Sequence, residues 1–310
     1  MCAIQNNQER DTVSINVSFV KTPEELAAFD IRKHASFFHQ EKIQVFWAIP
    51  QEVYEHLLPP GLEPTIPLAI AYVSNFTRPE HLYPYTEGAL FVTAAHKGVP
   101  GCYCLSMPLD GNDQAQNLGR EYFGYPKKTA RVKLIRRGDV IEGWIERNDV
   151  RIFEVKAEIG AFNIPDLGEM FIGYKKPETL VTDDAVYNLH YEMNSLQNEI
   201  DFSDRTGRSY RNIRLLRQYN DIEIHSAEPA KVISLTMNES EDDPWAELVP
   251  DRIIGAEYVR YTTHMKGCDL CHTYETKEER ESVLPYMFLR WDSLFFGKYH
   301  ASYKSNNFYR

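Results

Sequence analysis

Val140-Ile141-Glu142-Gly143-Trp144-Ile145-Glu146-Arg147-Asn148-Asp149-Val150-Arg151-Ile152-Phe153-Glu154-Val155-Lys156-Ala157-Glu158-Ile159 is the stretch whose reading decides the fold class. Residues 140–146 and 151–159 are rich in β-branched and aromatic side chains, and Asn148-Asp149 between them is a turn pair, so the stretch predicts two strands joined by a tight turn. In the second strand Phe153, Val155, Ala157 and Ile159 fall on one face and Glu154, Lys156 and Glu158 on the other. That period of two belongs to a sheet with one dry face.

Working outward, further strands are expected at 43–49, 213–216, 232–235 and 258–263, with an apolar run at 67–73. Glu239 to Asp243 reads as an acidic loop. Helices are few. Thr22-Pro23-Glu24-Glu25 places a hydroxyl cap, a proline and a glutamate where a helix begins, and predicts a helix to about Lys33. A shorter one is expected at 52–58, where Pro59-Pro60-Gly61 ends it. Strands outnumber helices and do not alternate with them. The expected fold class is therefore α+β, a β-rich body with a large mixed or antiparallel sheet. There is no internal repeat.

The chain has 310 residues, a formal charge of −11 and five cysteines. The acidic balance argues against a nucleic-acid partner, since phosphate binding needs a concentrated basic surface. No apolar run is long enough to span a bilayer, and Met1-Cys2-Ala3-Ile4-Gln5-Asn6-Asn7 has neither the basic start nor the apolar centre of a secretory signal. A small odd number of cysteines suits free thiols, so a cytoplasmic protein without membrane contact is expected. No Gly-rich phosphate loop and no His-Glu-x-x-His helix occurs, and no cofactor or metal is expected.

The stretch with chemical content is Gly119-Arg120-Glu121-Tyr122-Phe123-Gly124-Tyr125-Pro126-Lys127-Lys128. A lysine pair alone usually marks a solvated face, and Lys175-Lys176 is a second pair in the same chain. Here the pair stands between aromatic residues and the start of a strand. The run resembles the active-site signature of the acetoacetate decarboxylase family, Gly-Arg-Glu-x-x-x-Tyr-Pro-Lys-Lys. Two weaker matches follow the same order: Tyr85-Thr86-Glu87-Gly88, which resembles the segment bearing an active-site glutamate, and residues 244–250 with Ile253-Ile254. The resemblance covers about residues 35–265. It leaves an N-terminal extension, 1–34, and an aromatic-rich C-terminal extension, 266–310.

The resemblance implies a cone-like or barrel-like sheet, a homo-oligomer and a small keto-acid substrate. It assigns Lys127 as Schiff-base nucleophile, Lys128 as the neighbour that perturbs it, and Glu87 as a residue that orients substrate or handles a proton. It sets Gln40, Tyr72, Arg120 and Tyr125 against the substrate. Gln40 falls where the family's decarboxylases carry an arginine for the substrate carboxylate, and Tyr72 where they carry a second glutamate. Arg78, Lys97 or Arg120 are candidates to replace the missing cation. The expected reaction is decarboxylation of a small β-keto acid. The alternatives are aldol or dehydration chemistry on a 2-oxo acid with the same lysine, and a non-catalytic binding protein on this fold.

The lysine chemistry has its own physical requirement. A free lysine titrates near 10.4 and is protonated at neutrality, so it cannot attack a carbonyl. Lowering it to about 7 needs roughly 4.6 kcal/mol of destabilisation of the cation, from removal from water or from a neighbouring positive charge. Acetoacetate decarboxylase is itself a standing example of such an activated lysine. In a strand, adjacent side chains point to opposite faces, so desolvation is expected to lead.

Two other features compete. Cys268-Asp269-Leu270-Cys271-His272 has haem-attachment spacing and, with Cys102 and Cys104, could supply a zinc site; free thiols are the expected state. The tail from Tyr286 to Arg310 holds Phe288, Trp291, Phe295, Phe296, Tyr299, Tyr303, Phe308 and Tyr309, and is expected to pack on the body or on a neighbouring subunit. His34, His39, His56 and His96 read as ordinary polar residues.

Overall fold

The computed structural model describes residues 20, 22–28, 35–171, 181–193, 210–287 and 290–292. One twelve-stranded sheet organises them. Its strands are β1 (Ala35–Ala48), β2 (Leu68–Phe76), β3 (Arg78–Pro79), β4 (Tyr85–His96), β5 (Val99–Asp110), β6 (Lys127–Thr129), β7 (Arg131–Arg137), β8 (Val140–Arg147), β9 (Val150–Ile159), β10 (Val181–Met193), β11 (Tyr210–Thr236) and β12 (Arg252–Tyr274). The sheet is mixed: most pairings are antiparallel, but β10 and β6 run parallel to β5.

The β8–β9 hairpin forms as its alternation predicts, and Asn148 and Asp149 both take positive φ, 47° and 61°. That pair of left-handed residues matches the twist of the flanking strands. The helix expected from Pro23 is described as far as Ala28, and the rest of that expectation lies outside the described residues. A short helix at Gln51–His56 stands where one was expected.

Sheet order runs β10-β5-β4-β2-β1-β12-β11-β9-β8-β7, and β10 also pairs with β11. The second pairing closes a seven-stranded ring of β5, β4, β2, β1, β12, β11 and β10, which has an inside. Beyond the ring, β9, β8 and β7 fold back over the outer face of β1, β2 and β4. Ile43, Val45, Trp47, Ala71, Val73, Leu90 and Val92 from the ring meet Ile141, Ile145, Phe153 and Val155 in one buried cluster. The two layers come so close that a Cβ on Gly88 would lie 2.2 Å from the Ile145 side chain. The main core is therefore outside the ring, and the inner face is left for other use.

The short strands expected at 213–216, 232–235 and 258–263 are pieces of β11 and β12, which run for 27 and 23 residues. Their register shifts at several bulges, which bend a long strand around a closed wall. The position 265/266, expected to bound an extension, falls inside β12. Of the aromatic tail, Tyr286 and Trp291 pack against the main core; Phe288, Phe295, Phe296, Tyr299, Tyr303, Phe308 and Tyr309 lie outside the described residues. No helix among the described residues is long and apolar enough to cross a membrane.

Candidate active site

A cavity of about 200 Å³ fills the inside of the ring. Strand alternation builds its wall. On β1 the odd residues Ile43, Val45 and Trp47 enter the core, while Gln40, Lys42 and Gln44 line the cavity. Tyr72 of β2, Tyr85 and Glu87 of β4, and Tyr261 and Thr263 of β12 face the same space, among apolar residues such as Phe37, Ile70, Phe91, Met107 and Met265.

Lys127 enters from β6, a strand of three residues laid parallel to β5. Its Nζ contacts the Glu87 carboxylate, and the side chains of both are almost wholly buried. The Tyr72 hydroxyl donates to the other Glu87 oxygen, Oε1, at 2.8 Å. Burial first, and then the Glu87 charge, hold the Tyr72 phenol well above the ordinary phenol range. Tyr72 therefore stays a donor to Glu87 at any physiological pH. The Tyr85 and Tyr125 rings flank the lysine, their centroids 5.6 and 5.9 Å from Nζ. Both phenols are raised in the same way, burial being the main cause.

A π-helical turn, Leu118–Tyr122, brings the signature's glycine against the lysine. A Cβ on Gly119 would lie 2.3 Å from Lys127 Cε. The glycine is there because the lysine stem occupies the space a side chain would need. Arg120, expected to meet substrate, does not line the cavity. Its Nη1 donates to the Lys127 carbonyl at 2.9 Å and to the Arg290 carbonyl at 3.2 Å. Arg290 in turn donates to the Gly124 carbonyl at 2.6 Å. Both arginines brace the backbone that carries the lysine.

Lys128 points the other way. Its Nζ donates to the Asp242 carbonyl at 2.7 Å and meets Asp243 Oδ1 at 3.3 Å and Asp292 Oδ1 at 3.1 Å. Arg147 binds the same two carboxylates at 2.7 and 2.6 Å. Burial alone would raise the Asp292 carboxyl, but the charges of Arg147 and Lys128 overcome it and hold it below the ordinary range. Asp242 and Asp243, expected in an acidic loop, are 2 % and 3 % exposed. They are buried because two cations are.

Gln40 and Tyr72 line the cavity as expected, and so does Tyr125. Arg78 and Lys97 are exposed and apart from it. Among the described residues the cationic lining residue besides Lys127 is Lys42, which sequence reading passed over. Its signal was the spacing Gln40, Lys42, Gln44 against Ile43, Val45, Trp47, a period of two with polar residues on one face. Cys104 is buried and Cys268 packs against the same apolar cluster; burial pushes the Cys268 thiol up to about 12. Among the described residues no cluster of His, Cys, Asp and Glu is fit to hold a metal ion. His96 Nδ1 lies 2.8 Å from the Gly61 carbonyl, His39 and His56 are exposed, and His34 lies outside the described residues.

The ring of strands thus encloses a buried lysine held against a carboxylate. The family model described as acetoacetate decarboxylase (ADC) matches residues 19–182, and the chain belongs to that family. Among curated proteins it is 25 % identical over 272 residues to "CLA biosynthesis isomerase" of Lactiplantibacillus plantarum, covering 85 % of this chain and 92 % of that protein. It is 32 % identical over 114 residues to acetoacetate decarboxylase 3 of Mesorhizobium japonicum, covering 37 % of this chain and 44 % of that one. With the acetoacetate decarboxylase of Clostridium acetobutylicum the identity is 28 %, over 43 % of this chain and 54 % of that one. The chain thus aligns with about half the length of these two decarboxylases. In fold it is similar to a solved acetoacetate decarboxylase (TM-score 0.64, 20 % identity, 79 % of this chain and 92 % of that one). It is also similar to the enduracididine biosynthesis enzyme MppR complexed with pyruvate (0.61, 14 %, 82 % and 96 %).

Proposed function

We propose that the protein is a Schiff-base enzyme in which Lys127 forms an imine with the carbonyl of an oxo acid, and Glu87 moves the protons that imine chemistry requires. The observation that carries the reading is the contact of the Lys127 amine with Glu87 inside an apolar cavity, with Tyr72 holding the carboxylate's other oxygen. Lys128 is directed out of the cavity and matched by two carboxylates.

The steps follow from the contacts. A proton passes from the Lys127 ammonium to Glu87, and the neutral amine adds to the carbonyl carbon. Glu87 returns the proton to the departing hydroxyl, which leaves as water, and the nitrogen becomes a cationic imine. That cation accepts the electron pair of a bond broken at the adjacent carbon. If the bond is C–H, Glu87 takes the proton and an enamine forms. Returning the proton further along a conjugated chain shifts a double bond, and adding the enamine carbon to an aldehyde makes a C–C bond. If the bond joins a carboxylate, carbon dioxide leaves.

Proton transfer at carbon is the better-supported branch. The resemblance sets Gln40 and Tyr72 where the family's decarboxylases carry an arginine and a glutamate, and a relative aligned over most of the chain is called an isomerase. Decarboxylation keeps the support of the relatives named for it. Borohydride reduction with an oxo acid tests the core claim: intact-mass measurement is expected to show one adduct, on Lys127, and none in Lys127→Met. An adduct at another lysine, or none with any carbonyl compound, overturns the reading. Deuterium entering the carbon beside the carbonyl without carbon dioxide release selects the first branch, and stoichiometric carbon dioxide selects the second.

A further inference from the structure

We propose that Arg290 is a positioning residue for the Lys127 amine: it fastens the turn that carries the lysine to the core outside the ring. The proposal rests on the imine reading only for the trapping assay that measures it; the bracing stands on its own contacts.

The stretch that delivers the lysine has a short ladder. Its strand, β6, has three residues, and Pro126 before it has no N–H to give. What closes the stretch is local. The Tyr125 N–H donates to the Gly119 carbonyl at 2.9 Å and the Lys127 N–H to the Tyr125 carbonyl at 2.8 Å. Gly124 makes the bend with a φ of 77°, a conformation that suits glycine. A turn closed on itself fixes its own shape, but not its angle to the cavity.

Arg290 holds that angle at two points. Its Nη2 donates to the Gly124 carbonyl at 2.6 Å, and its own carbonyl accepts from Arg120 Nη1 at 3.2 Å. The same Arg120 nitrogen donates to the Lys127 carbonyl at 2.9 Å. One residue is thus joined directly to the middle of the turn and, through Arg120, to the lysine itself. Arg290 is fastened in its turn: its N–H donates to the Met287 carbonyl at 3.2 Å, and Met287 belongs to the buried cluster outside the ring with Val283 and Leu284. Arg290 is 5 % exposed, and a guanidinium stays charged at any physiological pH. Burying a permanent cation is costly, so filling this space alone would call for an apolar side chain. An arginine serving only the core would join parts of the core to one another; this one joins the core to residues 119–127. It lies outside residues 19–182, which the family model matches, so the signature does not announce it.

The test follows borohydride trapping with an oxo acid over a range of concentrations, together with amide hydrogen exchange, in full-length wild type, Arg290→Met and Arg290→Lys. Arg290→Met is expected to lower the maximal trapping rate about tenfold, as a misplaced reacting group does, and to leave the half-saturating concentration unchanged. Exchange should quicken over residues 119–129 while β1 and β2 keep their wild-type protection. Arg290→Lys keeps the charge and one donor but not the planar fork, and should recover most of the rate, staying about threefold below wild type. The lysine variant carries the test if the methionine variant does not fold, and a wild-type rate in it then overturns the proposal. A wild-type maximal rate in a folded Arg290→Met, an effect confined to the half-saturating concentration, or exchange that quickens equally in β1, β2 and the turn also overturns it. If no carbonyl compound gives an adduct with wild type but the selective change in exchange holds, the bracing stands and the imine reading falls.

Discussion

The two faces of the β1–β2–β4 wall come from the same strands and the same hydrogen-bonded ladder, yet they follow different rules. The outer face is Ile43, Val45, Trp47, Ala71, Val73 and Leu90, packed against β8 and β9 without polar interruption. The inner face is Gln40, Lys42, Gln44, Tyr72 and Glu87. Outward-facing residues are held by burial of area, which is non-directional and tolerant of exchange. Among the inward-facing ones Gln40, Tyr72 and Glu87 are held by specific partners, because a buried polar group without one is costly. The chain thus places its stability on one side of a single-residue-thick wall and its chemistry on the other. If that division is real, damage to one face should leave the other's readout in place.

The largest expected effect breaks the outer face. Phe153 is fully buried, its ring 5.2 Å from that of Trp245. Phe153→Ala should cost about 3–5 kcal/mol of unfolding free energy, measured with denaturant. At temperatures where the variant is still folded, its yield of the Lys127 adduct should match wild type. A drop in yield parallel to the drop in stability would show that the two faces are not separable.

The second prediction concerns a carboxyl on the inner side of β12. Glu257 lies in register with Gln44, and burial pushes it up to about 7 despite the opposing charge of Lys42. An acid whose folded value lies above its unfolded one contributes fully below the unfolded value, near 4.5, and loses that contribution as pH rises through 7. Wild type should therefore lose stability between about pH 5 and pH 8 relative to Glu257→Gln, by at most about 3 kcal/mol. Denaturant curves for the two proteins at pH 5 and pH 8 measure it; equal gaps at both would mean that Glu257 is not shifted.

The outer face was legible in the sequence and the inner one only in part, for a physical reason. An apolar residue every second position has one meaning, and the β8–β9 hairpin, with its Asn148-Asp149 turn, followed from that pattern. A charged residue in a strand has two meanings, since water and a buried partner satisfy it equally well. Lys42 was passed over, and Asp242 and Asp243 read only as an acidic loop, their partner Lys128 being 114 and 115 residues away in the chain. Arg120 was visible as part of the signature, but whether its guanidinium met a substrate or a backbone carbonyl was not, because both are acceptors. The long strands β11 and β12 were seen only as fragments: a strand bending around a ring faces core, cavity and solvent in turn, so no single alternation runs its length. Closure of the ring through β10 rests on pairings between distant segments, on which local pattern is silent.

The smallest expected effect sharpens the comparison where the faces meet the signature. Gly119 faces the stem of Lys127, and a Cβ there would fall 2.3 Å from Cε and 2.5 Å from Cδ. Both are side-chain atoms, so Gly119→Ala can be accommodated if Lys127 swings aside, and the helical turn needs no positive φ at that position. Alanine is moreover the better helix former. Stability should then change by less than about 1 kcal/mol, while the lysine is displaced by roughly an ångström from Glu87. Displacement on that scale can cost about 100-fold in rate, equivalent to about 2.7 kcal/mol. The rate of adduct formation with an oxo acid in Gly119→Ala, set beside its melting temperature, reads the two separately. A stable variant with slow trapping shows that the glycine serves the position of the amine; a destabilised variant trapping at the wild-type rate would return Gly119 to the packing of the turn.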